Sequence, residues 1–228
     1  MAIFNLAGGI DTAPAARSAL HDARIEAVVE RMKAAYRRPE NGGPNRSDER
    51  DPHAYAEYGF CVHPDQGELM YLLCRALRAT RVVEFATSIG MSTLYLAAAV
   101  RDNGGGLVIG SEIVPEKIAA ATRNLAEAGL SDYVEIREGD ARETLRDLGG
   151  EVDFVLIDGW PMGPGPSLAL QVMRRIAPQM QGGAIALNDN AEADYLAWIR
   201  DPANGFRSMS LPIKGGTELS VRVARNPA

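Results

Sequence analysis

Residues 81–93 read Arg81-Val82-Val83-Glu84-Phe85-Ala86-Thr87-Ser88-Ile89-Gly90-Met91-Ser92-Thr93. A β-branched run gives way to small residues from Ala86 to Gly90, and a helical stretch opens at Ser92, which is how a βαβ unit begins. Outward from this stretch the same rhythm repeats. Strands are predicted at 81–85, 107–111, 133–137, 152–158 and 184–188. Helices are predicted at 92–100, 115–128, 141–148, 167–176 and 191–200, each opening near a cap residue or an N-terminal proline. Upstream, apolar spacings near three and four predict helices over 18–36 and 68–79. Residues 37–52 between them, rich in Pro, Gly and charge, read as a loop. Downstream, 206–211 and 218–223 alternate by twos around Lys214-Gly215-Gly216, the pattern of an antiparallel hairpin. The expected fold is α/β and doubly wound, with a seven-stranded, mostly parallel sheet that ends in an antiparallel hairpin.

The chain has 228 residues, 46% hydrophobic and 24% charged, which suits one well-filled globular domain. With 24 Lys and Arg against 30 Asp and Glu, the net charge of −6 offers no field for a polyphosphate, so a nucleic-acid partner is not expected. No apolar run approaches the ~20 residues of a membrane span, and Met1 to Ile10 lacks the basic, then apolar, start of a signal peptide. The expected compartment is the cytoplasm, with no membrane partner. Cys61 and Cys74 are too few for a disulfide framework and read as reduced thiols.

In open parallel sheets, ligands collect where the strands end and the strand order reverses. Those ends carry Glu84, Glu112, Asp140, Asp158 and the pair Asp189-Asn190. The turn after the first strand lacks the three glycines of G-x-G-x-x-G, and Glu84 at its head would repel a pyrophosphate while suiting an amino group. Glu112 stands where an acid at the end of a second strand takes a ribose diol. Gly139-Asp140-Ala141 is placed to grip an adenine. An adenosine bearing a cationic amino-acid tail satisfies all three positions.

From about Phe60 onward the chain resembles the class I S-adenosylmethionine-dependent methyltransferases, which are Rossmann-like, and in particular the small metal-dependent O-methyltransferases typified by catechol O-methyltransferase. The residues that carry the resemblance are Glu84 with the turn to Gly90 and Ser92, Glu112-Ile113, Gly139-Asp140-Ala141, Asp158-Gly159-Trp160, Asp189-Asn190 and Gly216-Thr217-Glu218. It implies Glu112 and Ile113 at the ribose, Asp140, Ala141 and Trp160 around the adenine, and Glu84, Ala86, Ser88, Gly90 and Ser92 near the methionine. The backbone at Val62 faces the cofactor in this reading. It also implies a metal site of Asp158, Asp189 and Asn190, whose hard oxygens suit Mg²⁺ or another divalent cation. Such an ion lowers the pKa of a coordinated hydroxyl. Glu218 matches the family's acid at the second hydroxyl of the acceptor. The implied reaction moves a methyl group from S-adenosylmethionine to a hydroxyl of a small aromatic vicinal diol. Relatives of this kind are often homodimers, and residues 1–59 are then a helix and cap ahead of a catalytic unit at 60–228.

The sequence also departs from the family. Pro161 stands where the catechol enzyme has the lysine taken as general base, and Ala86 stands where a glycine is usual. Three replacements for the lysine are open: the metal alone, His63, or Lys214 in the hairpin turn. Met162 to Pro166, residues 37–52 and the aromatics Tyr55, Tyr58 and Phe60 are candidates for an acceptor-pocket wall or lid. Two other readings stay open, a metal-independent methyltransferase of secondary metabolism and a cofactor-binding protein without catalysis.

Overall fold

The structure is a computed structural model that describes residues 18–35, 51–159, 165–213 and 216–223. The predicted Trp160, Pro161 to Pro164, Lys214, Gly215 and most of the loop at 37–52 lie outside these residues.

Among the described residues, β1 (Arg81–Phe85), β2 (Leu107–Glu112), β3 (Val134–Glu138), β4 (Val152–Ile157), β5 (Met180–Asp189), β6 (Phe206–Leu211) and β7 (Thr217–Arg222) form one sheet of order β3-β2-β1-β4-β5-β7-β6. The first five strands run parallel, and the hairpin strands join antiparallel, with β7 inserted between β5 and β6. This is the mostly parallel, seven-stranded sheet expected from the sequence. The order reverses between β1 and β4, which places the ligand-binding crevice at their carboxyl ends.

Alternate strand residues feed two cores. Val82, Val108, Phe154, Leu156 and Leu187 face α1 (Ala23–Ala35), α2 (Pro64–Leu77), α3 (Met91–Asp102) and α4 (Pro115–Ala128). Val83, Phe85, Ile109, Val155, Ile157 and Ala186 face α5 (Ala141–Thr144), α6 (Leu168–Ile176) and α7 (Ala193–Ile199). The period-2 alternation of a strand with both faces covered explains why these runs are apolar throughout. Helix α3 is buried from Met91 to Val100, because it lies between the sheet and the outer helices and has no wet face.

Several boundaries differ from the sequence reading for local reasons. Helix α1 starts at Ala23 because His21 takes a φ of 47° and the Asp22 carboxylate caps the helix, accepting from the N–H of Arg24 and Ile25 at 3.0 and 3.2 Å. Helix α2 starts at Pro64, whose fixed φ suits a first turn, and stops where Arg78 turns left-handed at φ 52°. Strand β5 is longer than predicted, since it runs through Gly182-Gly183 at a shift in its register with β4. Helix α5 has four residues rather than eight, because Leu145 and Leu148 leave the helix to fill the second core. Helix α1 shares the first core through Ile25, Val28, Val29 and Met32, and Arg24 donates to the Glu127 and Ala126 carbonyls of α4. No helix among the described residues is long and apolar enough to cross a membrane.

Candidate active site

The strand ends are tied to one another by backbone hydrogen bonds. Ala86 and Thr87 both donate to the Ser111 carbonyl at 3.1 Å, Gly139 donates to Glu112 O at 2.9 Å, and Asp158 donates to Phe85 O at 3.3 Å. The turn after β1 is tightly wound, with positive φ at Ala86 (70°), Ser88 (51°) and Gly90 (87°). Only Gly90 adopts this conformation without steric cost, and a Cβ there would also press on Ala121 at 3.2 Å. At the end of β4, a Cβ on Gly159 would overlap the Phe85 ring, so glycine is required for the chain to pass over the floor of the crevice.

Above these turns opens a cavity of about 480 Å³, a size that suits a cofactor and a small acceptor. Of the predicted site residues, Ala86, Ser88, Glu112, Ile113, Asp140, Ala141, Asp158 and Asn190 line it. The Glu112 carboxylate is fixed by three backbone donors: Ser88 N–H to Oε2 at 2.7 Å, and Ile113 and Val114 N–H to Oε1 at 2.8 and 3.0 Å. Asp140 caps α5 through the Arg142 N–H at 2.8 Å, and its carboxylate also meets the Arg142 guanidinium at 2.5 Å. That hydrogen-bonded arginine holds the Asp140 carboxyl below the usual carboxylate range.

Other predicted residues stand outside the lining. Glu84 is fully buried on the α3 side of β1, where Thr93 Oγ1 donates to its Oε2 at 2.6 Å. Burial raises its pKa, against the hydroxyls of Ser92, Thr93 and Thr87. Its Oε1 has no hydrogen-bond partner among the described residues. Val62 and Ser92 are buried beside that core, and Gly90 supports the turn from behind. His63 precedes α2 with its side chain 64% exposed, 3.5 Å from Asp65.

Glu218 differs most from expectation. Its carboxylate is 1% exposed and gripped by Arg200, the C-cap of α7, Nε to Oε1 and Nη2 to Oε2 both at 2.7 Å, with Ser210 Oγ donating at 2.7 Å. The arginine keeps its pKa low. The register pairs Glu218 with Asn188 and Ser210, so it lies on the face covered by α7 rather than in the cavity wall. The six acids expected around one opening are therefore divided between the cavity and two buried networks.

Asp158 and Asn190 also line the cavity, and Asp189 lies behind them at 2% exposure. Asn190 is left-handed at φ 59° and its Nδ2 donates to Asp189 Oδ2 at 3.2 Å. Among the described residues no three His, Cys, Asp or Glu side chains cluster to hold an ion. A cation here would rest on two carboxylates and the Asn190 amide oxygen, donors whose chemistry suits a hard divalent ion. The sequence reading missed Lys117, Arg142, Gln171 and Glu192, all of which line the cavity. A signal was present, since Lys117 and Arg142 open helices that start at strand carboxyl ends, but such residues read equally well as solvated helix positions. Pro52, Tyr55 and Phe60 close the cavity from the N-terminal side, and Tyr58 packs on Tyr55 with ring centroids 6.2 Å apart.

The strand order, the switch point between β1 and β4 and the acid-tipped crevice give a Rossmann-like fold with a cavity at its switch point. Residues 83–191 match the family model described as a methyltransferase domain. The catechol O-methyltransferase of Mycobacterium tuberculosis is 34% identical over 145 residues, 59% of this chain and 64% of that protein. The catechol O-methyltransferase of Niastella koreensis is 36% identical over 101 residues, 42% of this chain and 45% of that protein. The chain thus spans about half to two thirds of the length of these curated relatives. In fold it is similar to a Bacillus cereus O-methyltransferase solved in complex with SAH, with TM-score 0.63, 20% identity and coverage of 88% and 91%. It is also similar to the O-methyltransferase TomG of Streptomyces achromogenes, solved with SAM, with TM-score 0.62, 20% identity and coverage of 87% and 96%.

Proposed function

We propose that the chain is an S-adenosylmethionine-dependent O-methyltransferase acting on a small aromatic vicinal diol and requiring Mg²⁺ or a similar ion. The observation that carries this reading is the cavity itself, which runs from the backbone-anchored Glu112 carboxylate to Asp158 and Asn190. A matched methyltransferase domain supports it. At one end Glu112 would accept from the ribose, with Ala141 and Asp140 at the adenine, and Phe85 with the turn from Ala86 to Ser88 would form the floor beneath the sulfonium. Methyl transfer is an in-line displacement at the sulfonium methyl carbon by an acceptor oxygen. The fixed turns contribute alignment, an effect reaching about 7–11 kcal/mol in well-oriented systems. Asp158, Asp189 and Asn190 would hold the cation, which supplies a Lewis acid that favours the ionised acceptor hydroxyl. Glu192, half-buried in the same wall and raised in pKa by burial, adds a further acidic group at the acceptor end.

The test is methyl transfer from labelled S-adenosylmethionine to a panel of catechols, with and without EDTA. Activity restored by Mg²⁺ and lost in Asp189→Ala is expected. Full activity in EDTA would remove the metal from the reading, and turnover confined to monohydroxyl acceptors would remove the diol.

A further inference from the structure

Lys117 is the third residue of α4 and only 6% exposed, yet it lines the cavity. Its ammonium lies 4.9 Å from the centroid of the Phe60 ring and makes no hydrogen bond or ion pair among the described residues. Because Lys117 lines the cavity, an ammonium with no acceptor there among the described residues leaves its three donors available to whatever fills the cavity. Burial lowers the pKa of Lys117, and the nearby charge of Glu112 partly offsets this.

Glu112 supplies the complementary observation. A carboxylate offers about four lone-pair directions, and the N–H groups of Ser88, Ile113 and Val114 take three of them. One direction remains, on Oε2. A ribose diol has two hydroxyls, so Glu112 can accept from one of them and the other needs a different partner.

We propose that Lys117 is a cofactor-binding residue whose ammonium donates to one ribose hydroxyl oxygen while the other hydroxyl donates to Glu112 Oε2, the Phe60 ring backing the ammonium. The proposal rests on the S-adenosylmethionine reading above. It assigns ribose recognition to a cation and anion pair across the end of β2 and the first turn of α4.

Calorimetry with S-adenosylhomocysteine and its 2′-deoxy and 3′-deoxy analogues decides it, on wild type, Lys117→Met, Lys117→Arg and Phe60→Leu. Lys117→Met is expected to bind S-adenosylhomocysteine roughly ten- to a hundredfold more weakly, the loss of one hydrogen bond to a charged group. Toward one of the two deoxy analogues the same substitution is expected to cost nothing further. Lys117→Arg is expected to retain most of the affinity, and Phe60→Leu to retain the discrimination between the analogues. Unchanged binding in Lys117→Met, or an equal loss toward all three ligands, overturns the proposal, the second result reducing Lys117 to a support for Phe60. Should Lys117→Met not fold, an arginine variant that loses all discrimination between the ligands also overturns it. No binding by wild type would instead overturn the cofactor reading itself.

Discussion

Replacing Glu112 with glutamine changes almost no volume yet converts one oxygen into a donor, which makes it a sharp probe of the crevice. The least costly orientation keeps the amide oxygen on Ile113 and Val114, where two N–H groups converge. The new NH₂ then faces the buried Ser88 N–H, donor against donor. One charge-assisted bond worth about 1.5–3 kcal/mol is lost, and a buried N–H is left unpaired, which costs a comparable amount and overlaps with it. A net loss of about 3 kcal/mol is expected. At about 2–4 °C per kcal/mol for a chain of this size, Tm falls by about 6–12 °C. The same change removes the last free acceptor on Oε2, so affinity for S-adenosylhomocysteine falls at least about tenfold. Differential scanning calorimetry without and with that ligand reads both effects. A variant melting within about 2 °C of wild type and binding normally would show that the Ser88 to Glu112 bond does not set the turn.

Glu84 and Glu218 titrate with opposite signs. Burial raises the folded-state pKa of Glu84 above its ordinary value, so its contribution to stability is present at low pH and is lost as pH rises through the folded pKa. Glu84→Gln is therefore expected to gain stability over wild type at pH 8 relative to pH 4, and urea midpoints at the two pH values check the sign. Arg200 lowers the Glu218 pKa, so that pair contributes above the ordinary carboxylate pKa and its contribution is lost as pH falls through the lowered one. Arg200→Ala strands a carboxylate that is 1% exposed; because the arginine is itself 48% exposed, the cost at pH 7 is about 2 kcal/mol, below the range for fully buried pairs. The gap to wild type should narrow in acid, and a constant gap from pH 7 to pH 3 would contradict the pairing. At Ala86, φ 70° costs an L-residue about 1–2 kcal/mol, so Ala86→Gly is expected to raise Tm by a few degrees after glycine's extra unfolded entropy of about 0.5–1 kcal/mol, as a thermal melt would show.

Much of the fold was legible because it is local. The apolar run at 81–85, the proline that opens α4 and the alternation of the final hairpin each state their element within a few residues. Boundaries were less legible where a long-range contact overrode propensity, as when Leu145 and Leu148 left α5 to enter the core. The acids at the strand ends were also readable, since the parallel topology fixes which end of each strand meets the ligand.

The sequence by itself determined the strands of the sheet and the list of acids at their ends that could serve a cationic ligand, while the switch point between β1 and β4 came from the strand order. The tertiary structure decided what each acid does. Glu218 is bound to an arginine 18 residues away on another element, Glu84 is enclosed beneath α3, and Glu112 is presented to the cavity with three of its four lone-pair directions filled. Strand ends follow from local pattern, but the partner of a charged group depends on which elements the core brings into contact, and no spacing along the chain encodes that.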